Sequence, residues 1–216
     1  MKGINRFSVL ALLVVGVVIV FAAGSSHATI VGQLWQDQST IGGNATIANK
    51  PATAPDAMFN PVAIAYDSRV AGSGYTPALF LNNPTFYNTS GTFNPNGTLN
   101  NTYFYFEGDT FLNAGVNAFV VPHDDGLQLN IDGIAMVVNQ PGPTAPVNTP
   151  FTVSAPVDGL YHFELSYGEV LGPPAVLAWK VNDQPVGNNP VPEPATMLLL
   201  GSGLVGLIGF RRKFRK

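Results

Sequence analysis

Residues 117–133 read NAFVVPHDDGLQLNIDG. The first six have the β-branched and aromatic content of a strand. Two adjacent aspartates and a glycine interrupt it, and Leu127 to Ile131 then alternates apolar and polar residues with period two. Such alternation shows one face to a core and the other to solvent. Asp132-Gly133 suits a tight type I′ turn, so LQLNIDGIAMVV, residues 127–138, reads as a hairpin.

The same signature recurs on either side. YFYFEG (103–108), IAMVVN (134–139), PFTVSA (150–155), LYHFELSY (160–167) and AVLAWKV (175–181) each have strand length and composition. Gly108-Asp109, Asp158-Gly159, NQPGPTAPVN (139–148) and GEVLGPP (168–174) separate them with turn chemistry. No window of the body keeps an apolar period of 3.6 residues, which excludes long helices. The fold expected for residues 29–189 is all-β, a single β-sandwich or jelly-roll-like domain. Residues 29–99 are less legible: NNPTFYNTSGTFNPNGTLNNT (82–102) reads as a loop or as short edge strands, and no repeat marks a second domain.

Charge divides the chain sharply. Of ten Lys and Arg, only Lys50, Arg69 and Lys180 lie in the body, which holds all thirteen Asp and Glu and so carries about −10 against −3 for the whole chain. An acidic body repels phosphate backbones, which argues against nucleic acid as a partner and favours cations. At the N-terminus a basic MKGINRFS precedes the apolar run VLALLVVGVVIVFAA and the small-residue GSSHA. This is the pattern of a signal peptide helix over 1–28, read by the Sec translocon and cut after Ala28. The body contains no cysteine, so its core holds without disulfides.

At the other end, Val191-Pro192-Glu193-Pro194 is followed by ATMLLLGSGLVGLIGF (195–210) and RRKFRK (211–216). An apolar span before a basic cluster has the character of a stop-transfer transmembrane helix with its positive end in the cytoplasm. In the order of its three parts, segment 190–216 closely resembles the PEP-CTERM sorting signal. That resemblance implies export in a Gram-negative bacterium and an inner-membrane intermediate. A membrane exosortase would recognise Pro192, Glu193 and Pro194 and remove the tail. The body would then reach the cell surface or an extracellular matrix linked to exopolysaccharide and biofilm.

Catalytic chemistry is sparse. Thiol catalysis is excluded, His123 and His162 have no ligand or triad spacing, and neither Ser154 nor Ser166 sits in a nucleophile elbow. Alternation along 160–167 puts His162, Glu164 and Ser166 on a solvated face. A carboxylate pair such as Glu164 with Glu169 has the chemistry for glycoside hydrolysis, but nothing in the sequence marks either as an acid of raised pKa. The chain is read as not an enzyme, with an exported glycoside hydrolase as the remote alternative.

Asp124-Asp125-Gly126 has two readings. Adjacent carboxylates at the end of a strand offer hard oxygen ligands to Ca²⁺. Equally, Asp-Asp-Gly is ordinary turn chemistry, with glycine at positive φ. NAFVVPHDDGLQLNIDGIAMVVN and VDGLYHFELSYGEVLGPPAVLAWKV together resemble the carbohydrate-binding β-sandwich named after the protective antigen of anthrax toxin, and the related fibro-slime domains. The matching residues are Phe119, Asp124, Asp125, Gly126, Ile131, Asp132, Gly133, Gly159, Tyr161, Phe163, Tyr167, Leu177 and Trp179, within about residues 100–185. In the lectin members, two adjacent aspartates joined by a cis peptide chelate a calcium ion that binds sugar hydroxyls. The resemblance therefore implies Asp124 and Asp125 as metal and carbohydrate ligands, with Asn182 and Asp183 as further candidates from a later loop. Asp132 is assigned to a turn, and Phe119, Ile131, Tyr161, Phe163 and Trp179 to the core. Trp35 is placed in a first strand. The function implied is an exported carbohydrate-binding or adhesion protein whose partner is an extracellular polysaccharide. The alternative is a structural matrix protein without a ligand.

Overall fold

The computed structural model describes residues 29–39, 44–170 and 172–188. Ala28–Asn189 forms one compact unit. The expected signal helix, Ala28, Pro192, Glu193, Pro194 and the 195–210 span lie outside the described residues. Among the described residues, no helix is long and apolar enough to cross a membrane.

Two antiparallel sheets face each other. In the first, β2 (Ala57–Phe59), β1 (Val31–Trp35), β4 (Thr102–Leu112), β9 (Gly159–Glu169), β6 (Gly126–Ile131) and β7 (Ala135–Gln140) follow one another across the sheet. The second centres on β5 (Gly115–Asp124). It pairs β8 (Val147–Ala155) and also pairs β10 (Val176–Ala178) and β11 (Lys180–Val181), with β3 (Ala65–Asp67) and β12 (Gln184–Pro185) outermost. Six of the seven expected segments each form one strand, and the seventh, AVLAWKV, forms two, β10 and β11, interrupted at Trp179. The unread part of the body supplies β1, β2 and β3, with Trp35 in β1, as well as a single-turn helix α1 (Pro77–Phe80).

Alternation decides the core. Phe163, Leu165 and Tyr167 of β9 and Phe104 and Phe106 of β4 point inward and are fully buried. Phe163 meets Trp179 of the opposite sheet edge to face at 4.6 Å, a favoured aromatic geometry. The Phe80 ring of α1 packs against Tyr66, Phe104 and Tyr167. Thr76 accepts the Leu79 N–H as the helix N-cap, and Pro77 opens the helix where its missing N–H costs nothing.

The unbroken apolar run of β4 has a simple cause. Tyr103 and Tyr105 point away from the core, yet they are buried with Trp35 under Ile47 of a 3₁₀ turn, Ile47–Asn49. Ser166 Oγ donates to the Ala45 carbonyl, Ile47 N–H donates to Gln128 Oε1, and Lys50 Nζ sits 3.6 Å from the Tyr105 ring centre. A strand covered on both faces reads as continuous rather than alternating.

Two expectations are corrected. The β6–β7 hairpin exists, but its turn is not type I′. That turn needs positive φ at both central residues, and only Gly133 of the pair has it, at 76°. Ile134 N–H closes on the Ile131 carbonyl at 3.1 Å and Ile131 pairs Ala135, so the loop has three residues. Tyr161, expected in the core, is only partly buried and donates to the Val157 carbonyl.

The Asn188 side chain closes the domain. It accepts the Ile30 N–H at 2.5 Å and donates to the carbonyls of Ile30 and Pro61 at 3.0 and 2.8 Å, a strand partner made from one amide. Asn188→Ala is expected to lower unfolding stability by about 2–3 kcal/mol, because it orphans the buried Ile30 N–H and C=O. Urea denaturation, with amide exchange at Ile30 rising selectively, checks it.

Candidate functional site

β5 belongs to one sheet and β6 to the other, and a single residue, Asp125, separates them. The Asp124–Asp125 peptide is cis, the form the lectin resemblance implied. Gly126 does not take positive φ, contrary to the turn reading. It is glycine because a Cβ there would stand 2.1 Å from the Pro141 carbonyl oxygen.

Four groups grip the corner. The Asp125 carboxylate accepts the Thr144 N–H at 3.2 Å through Oδ1 and the Val170 N–H at 2.9 Å through Oδ2, tying the β7–β8 and β9–β10 loops to it. Asp125 C=O lies 2.7 Å from His123 Nδ1, and Tyr167 donates its hydroxyl to the Asp124 carbonyl. His123 is fully buried, and its Nε2 lies 2.8 Å from Gln140 Oε1.

The Asp124 carboxyl is in a different position. It is 5% exposed, and no N–H or hydroxyl hydrogen-bonds it among the described residues. Burial raises it to about 6, the neighbouring Asp125 charge and a side-chain hydrogen bond with the Asp125 carboxyl add to the rise, and Arg69 opposes. Arg69 forks onto Asp67 with contacts of 2.8 and 2.6 Å. Asp67 pairs Val176, whose other neighbour is Asp124, so the cation is two strands away.

Glu169 is the residue that sequence reasoning undervalued. It is 1% exposed at the end of β9, where Tyr167 OH lies 2.7 Å from Oε2 and Tyr75 OH lies 2.8 Å from Oε1. Each phenol also faces a second acceptor, the Asp124 carbonyl for Tyr167 and Asn100 Oδ1 for Tyr75. Two hydroxyl protons cannot serve four acceptors, and a protonated Glu169 supplies a third. Burial indeed raises Glu169 to about 8; the tyrosine hydrogen bonds pull it down, and the Asp125 and Asp124 charges add to the rise. Continuing the alternation of LYHFELSY by two residues would have placed Glu169 on the Tyr167 face.

The remaining candidates are not brought to this corner. Asn182 and Asp183 form the β11–β12 turn at positive φ of 50° and 64°. Asn182 accepts the Ala118 N–H and donates to Asn117 Oδ1, six residues back along β5 from Asp124 and so about 20 Å away. Glu164 and Glu169 lie on opposite faces of β9, so that carboxylate pair is not assembled. His162 is exposed on the outer face, 3.4 Å from Asp109. Among the described residues, no group of three or more His, Asp or Glu is placed to hold a metal ion.

Residues 190–213 match the model of the PEP-CTERM protein-sorting motif. The chain ends in a sorting signal. That motif implies an exported protein processed by an exosortase. No curated protein matches the sequence. Among solved structures, the PA14 domain of the MpAFP antifreeze protein superposes with a TM-score of 0.51 at 19% identity, covering 74% of this chain and 86% of that one. The PA14 sugar-binding domain from an RTX adhesin gives 0.49 at 21% identity, covering 71% and 89%. The first of these likenesses gives the body the fold of a PA14 domain, the β-sandwich that the sequence resemblance named.

The two aspartates are expected to separate by stability. In chelator, Asp125→Ala loses roughly 2–4 kcal/mol because two backbone N–H groups lose their acceptor, whereas Asp124→Asn, which removes a disfavoured charge, melts no lower than the parent. Differential scanning calorimetry decides it. Glu169 has its own signature: with a native value near 8 against about 4.3 unfolded, the native state holds the extra proton between them. Its stabilisation is complete below about pH 4 and is lost as pH rises through 8, about 5 kcal/mol in all. Glu169→Gln should flatten that decline between pH 5 and 9.

Proposed function

We propose that the exported body is a carbohydrate-binding module in which Asp124 and Asp125 hold a Ca²⁺ ion that takes sugar hydroxyls into its coordination shell. The observation carrying this reading is the Asp124 carboxyl, buried against the Asp125 carboxyl that is its side-chain partner, with no N–H group holding it among the described residues. A hard cation turns that repulsion into attraction. Each Asp125 oxygen has given one lone pair to a backbone N–H and keeps another. Two carboxylates supply part of a calcium shell of six to eight oxygens, and backbone carbonyls, water and vicinal sugar hydroxyls are chemically suited to the rest. Bound calcium would supply a Lewis-acidic point that discriminates hydroxyl pairs. The chain's part is to hold Asp125 still through Thr144 and Val170 and to present Asp124 beside it.

On this reading residues 29–189 are the binding body and 190–216 the sorting signal, and the body works at the cell surface or in an extracellular matrix as an adhesin for exopolysaccharide. One observation favours the rival, a structural matrix protein. Asp125 already has a complete structural task in binding two loops, as a turn residue would.

Calorimetric titration of Ca²⁺ into the chain separates the two. Saturable binding at pH 7.5 that vanishes in Asp124→Asn and weakens about tenfold at pH 5, where a proton competes at a carboxyl with a value near 6, supports the lectin. Absence of binding by folded protein supports the matrix role.

A further inference from the structure

A second polar recess lies away from the Asp124 corner. β2 ends the first sheet and β3 the second, so the sandwich is open along that edge. Segment 60–66 and segment 81–87 form a groove of about 560 Å³ there, within the range of small-molecule sites. The second segment is fastened by Tyr87, whose N–H and C=O both pair with Met58 at 2.9 Å.

The lining contains no charged side chain. Its polar side chains are amides and hydroxyls: Asn60, Asn82, Asn83, Thr85, Tyr66 and Tyr87. Asn60 spends its oxygen on the Tyr87 hydroxyl at 3.0 Å and keeps both amide protons. Asn82 and Asn83 sit at φ of 61° and 52° where α1 ends, both exposed and with no side-chain hydrogen bond among the described residues. That conformation accounts for asparagine as a helix stop, and by itself would mark no site.

Tyr66 is the independent observation. It is 3% exposed and its ring packs on Phe80 and Phe106, yet its hydroxyl has no hydrogen-bond partner among the described residues. Buried hydroxyls are normally paired. This one is also absent from the sealed, unpaired atoms, which are Thr102 Oγ1 and Trp179 Nε1. It therefore keeps access to solvent, and the groove is the opening that Tyr66 lines.

We infer that this edge groove is a cation-independent site for a neutral oligosaccharide, with the Tyr66 hydroxyl at its floor and the Asn82 and Asn83 amides at its rim. Side-chain amides match sugar hydroxyls as donors and acceptors together, and Pro61, Val62, Leu81 and Pro84 offer apolar surface to the C–H faces of a pyranose. An uncharged lining has nothing to balance an anionic or cationic ligand. Strand addition of a peptide is disfavoured because β3 has only three residues.

The test uses the full chain in a non-glycosidic detergent with EDTA present, on an array of neutral and anionic oligosaccharides of two to four units. Binding to neutral members, weakened at least tenfold by Tyr66→Phe and by Asn83→Gly, is the expected result. Tyr66→Phe removes only an unpartnered hydroxyl and should melt no lower than the parent, and Asn83→Gly keeps the backbone conformation. Asp124→Asn should leave this binding intact, so failure here and failure of the calcium reading are separate outcomes. No neutral ligand in EDTA, binding to anionic members alone, or binding unchanged by Tyr66→Phe would each overturn the assignment.

Discussion

Between Asp124, the last residue of β5, and Gly126, the first of β6, the chain has one residue in which to leave one sheet and enter the other. A corner that tight leaves backbone groups without ladder partners, and buried backbone groups must find partners elsewhere. Asp125 and its neighbours meet that demand. Its carboxylate takes N–H groups from two loops, its carbonyl faces His123, and the Asp124 carbonyl accepts the Tyr167 hydroxyl. The β7–β8 and β9–β10 connections are thereby drawn to the place where the sheets join.

The electrostatics follow from this arrangement. Drawing loops over the corner buries three carboxyls, Asp124, Asp125 and Glu169, in a body with few cations. Asp125 is compensated by backbone dipoles and Glu169 by phenols and a proton, while Asp124 has only a distant Arg69 against it. The corner thus holds one carboxylate committed to structure beside one that is not. Their adjacency in sequence conceals this division of labour.

Much of the fold was legible because the β-sandwich is built on period-two alternation, which NAFVVP, LQLNI and LYHFELSY display openly. The β4 run was legible as a strand but not as one covered on both faces, since its cover, Ile47 and the residues around it, comes from a polar stretch without periodicity. Asp132-Gly133 marks the place of the turn but not its type, because register with Ala135 adds a third loop residue. Asn182 and Asp183 read as loop ligands, yet strand pairing carried them to the opposite end of β5. Tyr66 and the asparagines beyond α1 came from the segment whose composition carries no pattern.

By itself the sequence determined the C-terminal sorting motif, the all-β class, the seven segments that become strands and the presence of adjacent carboxylates at a strand end. These depend on local composition and on periodicities that need no partner to be recognised. Tertiary structure alone decided which aspartate takes backbone N–H groups and which does not, that Glu169 joins them, and that an edge groove opens over Tyr66. Each of these depends on burial and on donors supplied from residues far along the chain, and a carboxyl or phenol carries no mark in the sequence of the groups that will surround it.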